Sequence, residues 1–277
     1  MDGVQSLSQH ILLIKKMLNV RKARTLLLTH YAYMLEYRAE IFLWALSNSL
    51  PIILMGIWIQ ASSKGNFNFT PQEFARYFFS VFIVRQLTAV WVIWEFEREI
   101  LEGQLSLRLL QPIDPVWHHV ARHVAEKMTR IPLIILFCGL FFVLYPEAAW
   151  IPKVSNLFLG IIAIALSFSL AFVIQYTFAM LAFWTERASA IQQFWFLVYI
   201  FLSGAIAPLE VFPDRVRQIV EWTPFPYMMH FPAVLLMGLP VEFGKSVLII
   251  LGWAIAFLIV NRWLWRKGLK QYSGMGA

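Results

Sequence analysis

The chain has 277 residues, 60% of them hydrophobic and only 14% charged, with a formal charge of +7. Soluble domains carry about 45–50% apolar and about 25% charged residues, so a water-soluble fold cannot hide this much apolar surface, and several spans leave no room for a large soluble domain. The basic residues are dispersed between apolar runs instead of forming one patch, which argues against a nucleic-acid surface and for membrane orientation.

In chain order, an N-terminal arm comes first, about Leu7 to Glu40. Its apolar residues recur at helical spacing, Leu7, Ile11, Ile14 and Leu18, then Leu28, Tyr31 and Leu35, with basic residues between them. The pattern predicts an interfacial amphipathic helix feeding the first span. The run Ile11 to Ile14 is too short for a secretory signal and is followed by Lys15 and Lys16, so no cleaved leader is expected.

Six spans are predicted: Ile41–Gln60, Tyr77–Trp94, Ile131–Tyr145, Leu157–Phe183, Ile191–Pro208 and Val247–Trp265. Pro51 predicts a kink in the first. Arg85, beside Gln86, lies inside the second. An ionisable residue there faces a cavity or snorkels to an interface. Cys138, the single cysteine, reads as a small core hydrophobe. Trp58, Trp94, Trp150, Trp184, Trp222, Trp263 and Trp265 fall near predicted span ends, where amphipathic rings prefer to sit. Setting Arg85 aside, sixteen Lys and Arg lie on the side of the termini and six on the other, which places both termini in the cytoplasm.

Between the second and third spans, the stretch "EREILEGQLSLRLLQPIDP" opens with Glu97, Arg98, Glu99 and Glu102. Gly103 is a good helix C-cap, and Pro112 and Pro115 terminate the leucine-rich turn after it. A stiff cytoplasmic elbow is expected, with leucines at 105, 107, 109 and 110 exposed to a partner, followed by an amphipathic stretch from Val116 to Arg130. Within it His119, His123 and Glu126 fall at about one-turn intervals, a weak metal pattern better read as solvated or headgroup-level side chains. The fifth span carries Gln192, Gln193, Phe194, Trp195, Phe196 and Tyr199, an aromatic and amide-bearing face suited to flat or amphiphilic compounds. With Arg85, Gln86 and Trp91, the residues Gln193, Trp195 and Tyr199 are the candidate lining of a translocation path. The segment Ala205 to Pro240 holds six of the thirteen prolines, so no straight helix survives there. It is either a set of broken helices re-entering the membrane or a proline-rich surface loop.

No phosphate-cradling GxxxxGK[ST] motif, no HExxH and no nucleophile–base set is present. By that phosphate-cradling route the chain cannot hydrolyse ATP.

Three stretches carry a family resemblance. "EFEREILEGQLSLRLLQPIDP" resembles the cytoplasmic elbow of ABC-2-type transporter permeases. "FLSGAIAPLEVFPDRVRQIVEWTPFPYMMHFPAVLLMG" is similar to that superfamily's proline progression before the last span. "WRKGLKQYSGMGA" resembles the ending of an ABC-2 subfamily once known only as a domain of unknown function, which includes bacterial viologen and drug export permeases. The resemblance implies an all-α integral membrane protein with one ABC-2-type transmembrane domain over residues 1–277: a cytoplasmic interfacial arm (1–40), a six-helix membrane region (41–265) and a cytoplasmic tail (266–277). It implies an exporter subunit in the plasma membrane, paired with ABC ATPase subunits that bind ATP and magnesium and with a second permease, identical or paralogous. This chain would hold no cofactor, no metal and no catalytic residue, and its partners would otherwise be lipids. Glu99, Gly103, Leu105, Arg108, Leu109 and Pro112 would form the helix that couples to the ATPase. The implied cargo is a small amphiphilic or cationic compound; the alternative is a lipid-linked glycan or polysaccharide. Arg85 maps to no motif of the family.

Overall fold

A computed structural model describes residues 20–65, 67 and 69–272. The described residues are helical throughout, with no strand. Among the described residues, five helical segments are long and apolar enough to cross a membrane: Arg38–Ser62, Pro71–Leu101, Val116–Leu144, Val154–Phe183 and Phe243–Gln271. The molecule is an all-α integral membrane protein.

The first helix, α1 (residues 20–36), docks on the bundle through Leu27, Tyr31 and Met34, which pack with Ile41 and Ala125. Of the residues on the expected interfacial stripe, Tyr31 packs on the bundle, while Leu28 and Leu35 are exposed, as an apolar face turned to a membrane surface would be. Leu7, Ile11, Ile14 and Leu18 lie outside the described residues.

The first span is two helices, α2 (Arg38–Ser47) and α3 (Leu50–Ser62), broken at Asn48 and Ser49 with Pro51 in the first turn of the second. The second is α4 (Pro71–Thr88) and α5 (Val92–Leu101), broken between Ala89 and Trp91. A capping box between Thr70 and Glu73, with Pro71 following, starts α4.

A glycine turn and the short α6 (Gln104–Leu109) lead to α7 (Val116–Leu144). The predicted third span, Ile131–Tyr145, is thus the second half of a helix that starts at Val116. Hydropathy hides the first half because its polar residues, among them His119, His123, Glu126 and Arg130, are buried against the bundle instead of solvated.

Next comes α8 (Val154–Ala179), prolonged by a tight 3₁₀ turn at Met180–Phe183. It is the central helix: α4, α5, α9 (Ser189–Leu202), α11 (Phe225–Met228), α12 (His230–Met237) and α13 (Phe243–Gln271) all pack on it.

Where a fifth span is predicted, α9 has 14 residues, about 21 Å at ~1.5 Å per residue, against a hydrocarbon thickness of ~30 Å. The chain then turns at Gly204 (φ 88°) and runs through the exposed α10 (Asp214–Val220) into α11 and α12. Helices α11 and α12 are almost wholly buried, α12 between α4 and α8 and α11 against α8 and α9, so the second half of the proline-rich segment is part of the core while α10 lies on the surface. The segment's exposed backbone carbonyls find donors from the walls: Trp58 Nε1 to Ile206 (2.8 Å), Trp150 Nε1 to Leu236 (2.9 Å), Trp253 Nε1 to Trp222 (2.9 Å) and Ser167 Oγ to Tyr227 (2.6 Å). Broken backbone inside a membrane protein persists only when covered in this way.

Candidate functional site

Two features stand out, a cavity between the broken helices and the elbow beneath it. Both breaks open onto the cavity, which has a volume of about 920 Å³ and is walled by α1–α2, the α4–α5 break, α7, α8 and α9.

At the first break, Asn48 Oδ1 accepts a hydrogen bond from Arg85 Nε at 3.0 Å. Arg85 lies fourteen residues from Pro71 and sixteen from Leu101 in the second span. Its guanidinium is half-buried in the cavity wall. It sits over the Phe196 ring, 5.9 Å from the centroid.

The second break is held by side chains from α7 and α8. Lys127 Nζ donates to the Ala89 carbonyl, Gln175 Nε2 donates to the Val90 carbonyl at 2.9 Å, and the Trp91 N–H donates to His123 Nε2 at 3.2 Å. The buried polar stripe of α7 therefore replaces the hydrogen bonds that α4 and α5 lose at their junction. His123 and Lys127 serve the fold in this way. Among the described residues no group of three His, Cys, Asp or Glu side chains is placed to hold a metal ion.

Glu126 accepts from Trp91 Nε1 at 2.7 Å and pairs with Lys127 at 3.2 Å and with Arg130. Arg130 also donates to Gln86 Oε1 at 2.9 Å, and Gln86 Nε2 donates to the Ala45 carbonyl at 2.9 Å. Of the expected path residues, Arg85, Trp91, Gln193, Trp195 and Tyr199 line the cavity. Gln86 does not: it is buried behind the wall and ties α2 to α7.

The elbow is a tight turn whose helix is tied back to the bundle. Gly103 adopts φ 71°, a left-handed conformation that glycine takes without a Cβ penalty, and it joins α5 to α6. Arg108 then folds back to pair with Glu99 at 2.9 Å, the carboxylate being almost buried. The His119 ring lies between the carboxylates of Glu99 (3.4 Å) and Glu95 (3.5 Å), and Glu95 pairs with Arg122 at 2.6 Å. This chain of charged contacts runs from α6 to Arg122 in the cavity wall.

Leu105, expected to be exposed with its neighbours, is fully buried in the main core. On so short a helix one face must anchor to the bundle, and Leu105 is that anchor. Leu107, Leu109 and Leu110 are exposed, and Pro112 lies in the exposed turn before α7. The last helix braces the elbow from below: Tyr272 OH lies 3.2 Å from Ser106 Oγ, and Arg262 pairs with Asp114 at 3.2 Å.

Sequence reasoning missed Asn48, Lys127 and Gln175 as cavity or break residues. A signal existed for α7 alone: His119, His123, Glu126 and Arg130 recur at intervals of four, three and four, a polar stripe on one helix face.

A profile of the family described as ABC-2 family transporter protein matches residues 43–276. That stretch covers the elbow, the α4–α5 break and nearly all of the cavity wall. No curated protein matches the chain.

Proposed function

The chain belongs to the ABC-2 family of transporter proteins, and on that premise we propose that it is the permease subunit of an ATP-driven exporter of amphiphilic compounds, energised by separate ATPase subunits that bind to the elbow. The observation that carries this reading is the elbow itself. A helix of six residues and its C-cap present three exposed leucines, Leu107, Leu109 and Leu110, after a glycine turn, and its ion pairs lead into the cavity wall. An apolar, compact projection suits a groove in a soluble partner. On this reading α6 and both termini face the cytoplasm, in keeping with the distribution of Lys and Arg, and the cavity loads from that side.

Arg85, Trp91, Gln193, Trp195 and Tyr199 would contact cargo, with Gln86 positioning the wall. Glu99, Gly103, Leu105, Arg108, Leu109 and Pro112 would transmit nucleotide-driven motion of the partner. A second permease copy or a paralogue would close the open side of the cavity beside α9, whose Phe194, Leu197 and Phe201 are exposed.

The test is purification of the tagged full chain from its native host in mild detergent, with mass spectrometry of what travels with it. A stoichiometric nucleotide-binding subunit is expected, and its ATP hydrolysis should drive uptake into inverted vesicles. A chain that purifies without any such subunit would overturn the exporter reading.

A further inference from the structure

Four arginines and two glutamates line the cavity. Glu126 is paired with Arg130 and Lys127 and accepts from Trp91, whereas Glu40 accepts from the neutral Trp44 Nε1 at 3.3 Å and takes part in no ion pair among the described residues, so one unpaired glutamate stands against the unpaired arginines. Two of the arginines, Arg85 and Arg98, take part in no ion pair among the described residues. Arg98 is exposed at the elbow end of the cavity. Arg85 is half-buried in the cavity wall and bonded to Asn48 through its Nε, and its terminal N–H groups take part in no hydrogen bond or ion pair among the described residues, which leaves them free to meet a guest. An unpaired guanidinium at membrane depth is costly unless an anion or water meets it.

Three of the lining rings already carry a guanidinium: Arg122 lies over the Trp91 ring at 4.9 Å and the Tyr33 ring at 5.4 Å, and Arg85 over Phe196 at 5.9 Å. A cationic guest would have to displace those groups or stack on the remaining rings within the field of the unpaired Arg85 and Arg98.

Resting on the exporter reading above, we propose that the cavity selects amphiphiles with an apolar body and a single anionic head, a carboxylate, sulfonate or phosphate ester, and that Arg85 is the residue that reads the head. The planar fork of a guanidinium suits two-oxygen recognition of such groups. Trp195 and Tyr199 then flank the apolar body.

The experiment compares two probes with one aromatic body and opposite heads, 1-pyrenesulfonate and 1-pyrenylmethylammonium. Binding to the full chain in phosphatidylcholine nanodiscs is read by saturable quenching of tryptophan fluorescence, with empty discs as background. The sulfonate should bind at least about tenfold more tightly than the ammonium. Arg85→Gln should abolish that preference and Arg85→Lys should keep part of it. Asn48→Asp sets a carboxylate on Arg85 without removing it and should abolish the preference too, which covers the case of Arg85→Gln failing to fold. Equal affinities, a preference for the ammonium, or a sulfonate preference that persists in both neutralising variants would overturn the proposal.

Adding phosphatidylglycerol to the discs separates two sources of the anion. Competition identifies a lipid headgroup as the occupant and absence of competition a free amphiphile; both keep the anionic reading. ATP-driven transport of the ammonium probe would sink this inference and leave the permease reading standing. Sulfonate binding by a chain with no ATPase partner would do the reverse.

Discussion

Gly103 shows how much one backbone conformation controls. Its φ of 71° costs an L-residue about 1–2 kcal/mol, and a β-branched one more. Gly103→Val is therefore expected to reopen the turn and release Arg108 from Glu99, lowering transport while the spans keep their helicity. Transport by the complex in proteoliposomes, with circular dichroism as the control, checks this; unchanged transport would remove the turn from the coupling path. His30 makes a second case. Burial pushes its imidazole down from 6.5 to about 4, with the Arg122 guanidinium adding to the effect. Because the docked state resists protonation, docking of α1 is fully supported above pH 6.5. It weakens as pH falls from there towards about 4, the window in which only the undocked helix binds the proton. Hydrogen exchange of residues 20–36, corrected for the intrinsic rate, should show protection falling through that window. His30→Gln should flatten the curve.

Among the elements, α6 and the end of α13 act as one unit. Leu109 is exposed, so Leu109→Asp costs the fold little but should cut copurification of the ATPase at least about tenfold, a loss of ~1.4 kcal/mol. Intact copurification would move the docking surface elsewhere. Gly268 sits against the ring of Phe183, where an added Cβ would lie 2.1 Å from Cδ2. Gly268→Ala should destabilise by about 1–3 kcal/mol through overpacking, and Phe183→Leu in the same chain should restore much of the lost melting temperature. No rescue would mean that the contact is not what requires glycine there. The elements also show what is legible without coordinates. Apolar span centres and the Gly103 turn can be read from residue types, because membrane burial and a left-handed turn select composition directly. The start of α7 cannot, because His119 and Glu126 look solvated until α5 is packed on them. Nor can the truncation of α9, which ends where Ser203 and Gly204 turn the chain to meet Tyr77 and His230. Arg85 announces itself by its charge. Asn48 and Gln175 do not, since an amide in an apolar run becomes informative only when a broken helix is found beside it.

At the scale of the whole molecule, the exporter proposed above would require a push on α6 to reach a cavity in the middle of the bundle. The spans beside the elbow are not smooth rods: α4 and α5 meet at a break that α7 and α8 hold with side-chain hydrogen bonds, and on the exporter reading that break would be the hinge at which α5 tilts with α6 while α4 stays packed on α3 and α12. The charged chain Arg108–Glu99–His119–Glu95–Arg122 crosses from the elbow through α5 to α7. Arg85 stands outside it, on the other side of the break, bonded to Asn48 instead. This topology makes a quantitative demand. In a double-mutant cycle on cargo-stimulated ATP hydrolysis by the complex, Arg108→Gln and Arg122→Gln should be non-additive by about 0.5–2 kcal/mol, because both cut one network. Arg108→Gln and Arg85→Gln should add within about 0.5 kcal/mol, because they act on separate links. Additivity in the first pair would mean that the charged chain fixes the packing of α5 on α7 without carrying the signal. Coupling in the second pair as strong as in the first would mean that the break transmits motion as a rigid joint and not as a hinge.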